Sequence, residues 1–206
     1  DIVHCHDWHT APYLFLRRFA PRYQSLQTVA TVFSIHNLAM QGIRPLRGQA
    51  SSLEGWFPGL TYEAQVISDP RYLDCVNWMR AGINLAERIH TVSPTYAREI
   101  LRPGSADQLG GEGLEADLLR AHEQQRLLGI LNGCDYLTAI PERLRGAALY
   151  REIASALDHW VGKTETIPAA HYLALRRLHQ LRQKRKSPEP LLVSIGRLTP
   201  QKVGLL

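Results

Sequence analysis

Four short apolar runs rich in β-branched residues, at 1–5, 28–35, 89–92 and 191–195, are each bounded by polar or turn-forming residues and predict buried strands. Between them the apolar positions recur at helical spacing. From Trp8 to Phe19 they fall at Ala11, Leu14, Phe15 and Phe19, and from Val76 to Ile89 at Val76, Met79, Ile83 and Ala86, so each segment predicts a helix with one inward stripe. Apolar strands alternating with amphipathic helices predict an α/β fold on a parallel sheet, because a parallel crossover needs a helix-length connection.

Turn residues refine this outline. Ser93-Pro94 predicts a helix start, since serine can accept from an orphan N–H and proline suits the first helical position; the helix runs to Leu101 and stops at Pro103-Gly104. The loop Gly110-Gly111-Glu112-Gly113 leads into a helix expected to turn Leu114, Leu118 and Leu119 inward, and Leu127 to Leu131 reads as a short strand. From Tyr136 to Pro168 the pattern weakens at Pro141, Gly146, Gly162 and Pro168, and the segment reads as a connector. Tyr172, Leu175, Leu178 and Leu181 mark one face of a basic helix, which Ser187-Pro188-Glu189-Pro190 separates from the last strand.

Composition narrows the class. With 206 residues, 45% hydrophobic and 21% charged, the chain can bury one core or one core plus part of another. No run approaches the roughly 20 apolar residues of a membrane span, and no leader pattern opens the sequence, so a cytoplasmic protein without membrane association is expected. Cys5, Cys75 and Cys134 suit neither a disulfide framework nor a four-cysteine zinc site and are expected as thiols. The net charge of +5 is concentrated late, with six Lys or Arg and no acid between His171 and Lys186. A solvated helix face accounts for that cluster, and no nucleic-acid partner is expected; a non-enzymatic basic binding module is the alternative. Asp1 leads straight into apolar Ile2-Val3 and the sequence stops at Val203-Gly204-Leu205-Leu206, so both flanks are expected to continue into a larger protein.

Three segments concentrate chemistry. His4-Cys5-His6-Asp7-Trp8-His9 falls where a strand gives way to a helix, the place where α/β sheets bind ligands. His4 and His6 share a strand face, and with Asp7 or His9 they could hold a metal, the basis for an alternative reading as a metal-dependent hydrolase; hydrogen-bonded core imidazoles are the simpler account. The stretch Ser34 to Gly42 ends a strand with His36 and Asn37, both able to bond sugar hydroxyls, and closes on a glycine that permits a tight turn. Arg197 and Lys202, five residues apart after the last strand, could hold a diphosphate and stabilise it as it leaves; solvated loop charges are the competing account.

Together these words resemble the bacterial and plant glycogen/starch synthase family. Asp1 to Thr10 is similar to its Asp-Val-Val-His-x-His-Asp-Trp-His stretch, and His36 to Gly42 to its His-Asn-Leu-Ala-Tyr-Gln-Gly. The likeness continues through Ala81-Gly82-Ile83-Asn84, Thr91 to Ile100, Gly113-Leu114-Glu115 and Ile130-Leu131-Asn132-Gly133, in one order along the chain.

The resemblance implies a GT-B glycosyltransferase fragment with partial Rossmann-like lobes: residues 1–130 as the later half of the acceptor-side lobe, and 131–206 as the crossover, connector and start of the donor lobe. It implies Asp7, His36, Arg197 and Lys202 as catalytic residues, and Trp8, Asn37, Gln41 and Asn132 as substrate-binding ones. The implied reaction moves glucose, with retention, from ADP-glucose or UDP-glucose to the end of an α-1,4-glucan, with no metal or other cofactor. Met40 replaces the family's aromatic, Arg80 a usual Lys, Tyr136-Leu137-Thr138 a Trp-Asn-Pro-type turn, and Val203 precedes the expected Gly. The family's Lys-x-Gly-Gly loop and later Glu-rich donor motif are also absent, so the isolated chain is expected to be inactive.

Overall fold

A computed structural model describes residues 1–104, 110–133, 146–163, 166 and 169–183. The chain forms two compact units, Asp1–Cys134 and Asp135–Leu206.

In the first unit, strand β1 (Ile2–His6) runs into helix α1 (Asp7–Phe19), and a 3-10 segment (Pro21–Thr28) leads to β2 (Ala30–Ile35). Short elements follow: β3 (Arg44–Pro45), α2 (Leu53–Trp56), α3 (Ala64–Ile67) and β4 (Cys75–Val76). Then come α4 (Trp78–Leu85), β5 (Arg88–Thr91), α5 (Pro94–Glu99), α6 (Glu115–Glu123) and β6 (Leu127–Gly129). Four strands form one parallel sheet in the order β1-β2-β5-β6, while β3 and β4 pair antiparallel. The expected α/β fold on a parallel sheet is therefore observed.

Alternation along the strands decides which face is buried. Cys5, Phe33, Ile35, Ile89 and Leu127 join Phe15, Trp78, Met79, Ile83 and Leu118 in one apolar core. Gly82 lets α4 approach the sheet, since a Cβ there would meet the Phe33 ring. On the other face Ile2, His4, His6 and Leu128 are exposed. Of the strands expected as buried, β1, β2 and β5 thus turn one face to the core and, Ser34 apart, carry exposed or half-buried side chains on the other, and the period-2 placement of His4 and His6 is the visible sign of it.

Several boundaries differ from the sequence expectation. The second strand begins at Ala30 rather than 28, because Pro21 to Thr28 takes up 3-10 turns. The helix expected from Val76 to Ile89 is confined to Trp78–Leu85, since Val76 pairs with Arg44, Ile89 pairs with Phe33, and Asn77 caps the helix by accepting from the Arg80 N–H at 2.9 Å. Leu119 is 44% exposed, whereas Leu114 and Leu118 are buried as expected. The strand at Leu127 closes at Gly129 rather than Leu131. Arg80 pairs with Asp117 at 2.8 Å and so ties α4 to α6.

The second unit contains α7 (Gly146–Val161), where a connector without regular pattern was expected, and α8 (Ala169–Gln183), the expected basic helix. His171 and Leu178 are the buried residues of α8, while Tyr172 is 66% exposed, so the inward stripe starts one residue earlier than expected. The strand expected at 191–195 lies outside the described residues, as do Arg197 and Lys202. No described helix is long and apolar enough to cross a membrane.

Candidate functional site

The C-terminal ends of β1, β2 and β5 gather the polar residues singled out above. Asp7 sits at the β1–α1 junction with φ of 53°, a left-handed conformation that is uncommon outside glycine and more accessible to aspartate than to most residues. Its Oδ1 accepts from the backbone N–H of His36 at 2.8 Å and of Asn37 at 3.3 Å, which pins the tip of β2 to that of β1. The carboxylate's Oδ2 has no hydrogen-bond partner among the described residues. His6 Nδ1 and His36 Nε2 are 3.0 Å apart with their rings stacked, so His36 is held from both backbone and side chain.

A second polar chain crosses the sheet just below. In register, Ser34 lies opposite both His6 and His90. Ser34 Oγ is 2.6 Å from His4 Nε2 and 2.7 Å from His90 Nδ1, and His90 Nε2 faces the Ile130 carbonyl at 3.4 Å. The carbonyl can only accept, which assigns the proton of neutral His90 to Nε2. The direction is then His4 to Ser34 to His90 to Ile130. His4 has its pKa lowered by burial and by the neighbouring His6, His90 and His36.

After Asn37 the chain turns at once. Asn37 Oδ1 accepts from the Ala39 N–H and its backbone carbonyl accepts from the Met40 N–H, while Leu38 is fully buried with its N–H directed at the Tyr96 hydroxyl. Burial raises the Tyr96 pKa. Gln41 turns inward: its Oε1 accepts from Asn77 and Arg71, each at 2.7 Å, and its Nε2 donates to the Glu112 carbonyl at 2.9 Å. Gly42 has φ of +64° and lies against the Trp8 ring, which a Cβ would strike. Trp8 stacks on His9 and receives the Arg44 guanidinium on its ring.

The structure thus brings Asp7, Trp8, His36, Asn37 and Gln41 together at two adjacent strand tips. Asn132 is exposed just beyond β6. Arg197 and Lys202 fall outside the described residues. The four candidate metal ligands do not converge: His4 bonds Ser34, Asp7 turns its Oδ1 to backbone amides, His9 stacks on Trp8, and no group of three ligating side chains among the described residues could hold a metal ion. Sequence reasoning passed over Ser34, Asp69, Asn77 and His90. The placement of Ser34 and His90 on the strand face that carries His4 and His6 was the available signal.

Comparison with known proteins agrees with this architecture. The family described as starch synthase catalytic domain matches residues 1–120. A glycogen synthase of Desulfitobacterium hafniense is 42% identical over 134 residues, covering 65% of this chain and 26% of that protein. A glycogen synthase of Thermodesulfovibrio yellowstonii is 34% identical over 203 residues, covering 98% of this chain and 36% of that protein. Among solved structures, the catalytic domain of starch synthase IV from Arabidopsis thaliana bound to ADP and acarbose superposes with a TM-score of 0.52 at 24% identity, over 88% of this chain and 40% of that one. The chain therefore spans about a quarter to a third of the length of these bacterial relatives. Its fold is that of the GT-B starch synthases, and by the extent of the family match the chain belongs to the glycogen/starch synthase family of glycosyltransferases.

Proposed function

We propose that the protein containing this chain transfers glucose, with retained configuration, from ADP-glucose to the non-reducing end of an α-1,4-glucan in the cytoplasm. The observation that carries this reading is the Asp7 clamp. One carboxylate oxygen fixes the amides of His36 and Asn37 and leaves the other oxygen without a partner among the described residues, so anionic and hydrogen-bonding groups stand together at the strand tips. Such a group of fixed dipoles can orient sugar hydroxyls and offset positive charge as it develops on the glucosyl ring. The family match supports the choice of reaction, and the ADP and acarbose bound to the Arabidopsis structure support a nucleotide donor and an oligosaccharide acceptor.

In this reading Asp7 and His36 flank the oxocarbenium-like transition state. Asn37 and Trp8 meet the sugar, and Asn132 lies at the crossing toward the donor side. Arg197 and Lys202 neutralise the departing diphosphate, which leaves no step for a metal ion. The acceptor 4-hydroxyl attacks from the side that the nucleotide leaves, and exclusion of water prevents hydrolysis of the donor.

The test is transfer of labelled glucose to glycogen by the intact gene product, with ADP-glucose and UDP-glucose supplied separately. Incorporation with α-linked product, faster from ADP-glucose, is expected, and the isolated 206-residue chain should incorporate none. Absence of transfer from both donors would remove the proposal.

A further inference from the structure

Beneath the His36–Gly42 segment lies a polar cluster shut off from solvent. Asp69 and Asn77 are 0% exposed and Gln41 is 5% exposed. Asn77 uses both of its amide hydrogens, one on Gln41 Oε1 and one on Asp69 Oδ2, each at 2.7 Å. Its Oδ1 meanwhile caps α4. Asp69 also accepts from the backbone N–H of Arg71 at 2.8 Å and of Tyr72 at 3.0 Å. Burial alone would raise the Asp69 pKa, but the bonds from Asn77, Arg71 and Tyr72 outweigh it and hold the group below its ordinary value. The Gln41 backbone carbonyl is taken by the Met79 N–H at 3.0 Å.

Four separate stretches therefore meet on one glutamine: its own segment, the Asp69–Tyr72 turn, the start of α4, and Glu112 before α6. Polar groups this deeply buried are costly unless all are satisfied, and the Oε1 of Gln41 has both acceptor positions filled. His36 and Gln41 are joined by only five peptide links, so a change at one end cannot be absorbed before it reaches the other.

We infer that Gln41, Asn77 and Asp69 are positioning residues that fix the far end of the His36–Gly42 segment, as Asp7 fixes the near end. Gln41 then acts on the reaction through His36 and Asn37 rather than by touching sugar. This rests on the proposed transferase reading.

The experiment uses the intact gene product carrying Gln41→Ala, with Gln41→Glu as the conservative variant that keeps an acceptor for Asn77 and Arg71. Gln41→Ala should lower kcat about 10- to 100-fold, the order expected from a misplacement of roughly 1 Å, with KM for the sugar nucleotide within about twofold. Gln41→Glu, which restores the acceptor but loses the donor to the Glu112 carbonyl, should recover only part of the loss. In the same proteins, amide exchange across residues 36–42 should accelerate about tenfold in Gln41→Ala while residues 30–35 stay protected. Asp69→Asn, nearly isosteric, should accelerate exchange in the same segment if Gln41→Ala does not fold. Unchanged exchange overturns the inference, and so does faster exchange with unchanged kcat in an active enzyme. If wild-type protein transfers glucose from neither nucleotide, the transferase reading fails, and the exchange pattern alone decides whether the segment is held as inferred.

Discussion

The two ends of the four-stranded sheet carry polar networks of similar size that differ in what they leave unengaged. At the N-terminal end, Arg17 donates to the carbonyls of Leu26, Gln27 and Val29 and pairs with Glu87, while Glu87 accepts from the Thr31 amide and hydroxyl. Arg126 donates to the carbonyls of Ile83 and Ala86 at the end of α4. Burial would raise the Glu87 pKa, but hydrogen bonds from Thr31 and Arg17 outweigh it and hold the carboxyl below its usual range. These groups and others line a cleft, and their donors are turned to backbone oxygens at helix ends and to Glu87, with the buried Arg126 Nε left without a partner among the described residues. At the C-terminal end, Asp7 Oδ2, the second ring nitrogen of His36 and the side-chain nitrogen of Asn37 remain unengaged among the described residues. Donors spent on backbone oxygens hold a fold together, whereas open directional groups at strand tips are available to a ligand.

The sharpest way to break this comparison is to exchange the consequences of one substitution at each end. Asp7→Ala in the intact protein should reduce glucosyl transfer at least about 100-fold, the scale of losing one fixed electrostatic contact to a transition state. The fold should survive with a modest loss of stability, because alanine tolerates the left-handed φ of 53° less well than aspartate while the amides of His36 and Asn37 lie at a solvent-accessible tip. Steady-state kinetics beside thermal melting checks both halves, and a loss of activity matched by loss of folded protein would place Asp7 with the scaffold instead. Arg17→Met should do the reverse. It removes the guanidinium donor from three carbonyls and from one Glu87 oxygen, although Leu26 keeps the Val29 N–H and Glu87 keeps Thr31, a loss of about 3 kcal/mol in unfolding free energy by denaturant titration. Turnover per folded molecule should stay unchanged, and a parallel fall in kcat would show that the two ends are not independent.

Between these extremes lies Gly42, where the scaffold meets the tip. Gly42→Ala places a methyl group at φ of +64° and against the Trp8 ring. The expected destabilisation is about 1–3 kcal/mol from backbone strain and overpacking together. Tryptophan fluorescence should also change, because Trp8 must move. A variant as stable as the wild type would mean that the turn is not clamped from this side.

What could be read in advance follows the same division. The face period of Ile2–His6 and the Asp-Trp-His word after it located β1, α1 and the near edge of the candidate site, because both signals are local. The two-residue strands β3 and β4 and the four-residue helices α2 and α3 carry no period to read. In α7, Gly146 stands at the helix start and Gly162 just past its end, so the residues that suggested interruption bracket a helix with Leu149, Ile153, Leu157 and Trp160 at helical spacing. The inward turn of Gln41 was not legible, since its partners Arg71, Asn77 and Glu112 stand 30, 36 and 71 residues away. The same distance hid the Asp7 clamp, although the residues at both of its ends were identified.

The smallest effect concerns protons at the tip. His4 faces His6, His36 and His90, and its pKa lies below the ordinary imidazole value of 6.5, first through burial and then through those neighbours. Below pH 6.5 the unfolded chain therefore binds this proton more readily than the folded one, and stability must fall with pH until the folded group titrates too. Above 6.5 the contribution is fully present and constant. Asp7, just past the end of the same strand, directs its Oδ1 to backbone amides and does not pair with His4. His4→Gln keeps an N–H donor for Ser34 while removing the titration, so the urea midpoint should decline less steeply between pH 6.5 and the acid limb than in the wild type. Identical slopes in the two proteins would mean that acid sensitivity comes from elsewhere in the molecule, and that the imidazoles on the open face tolerate charge as a solvated surface would.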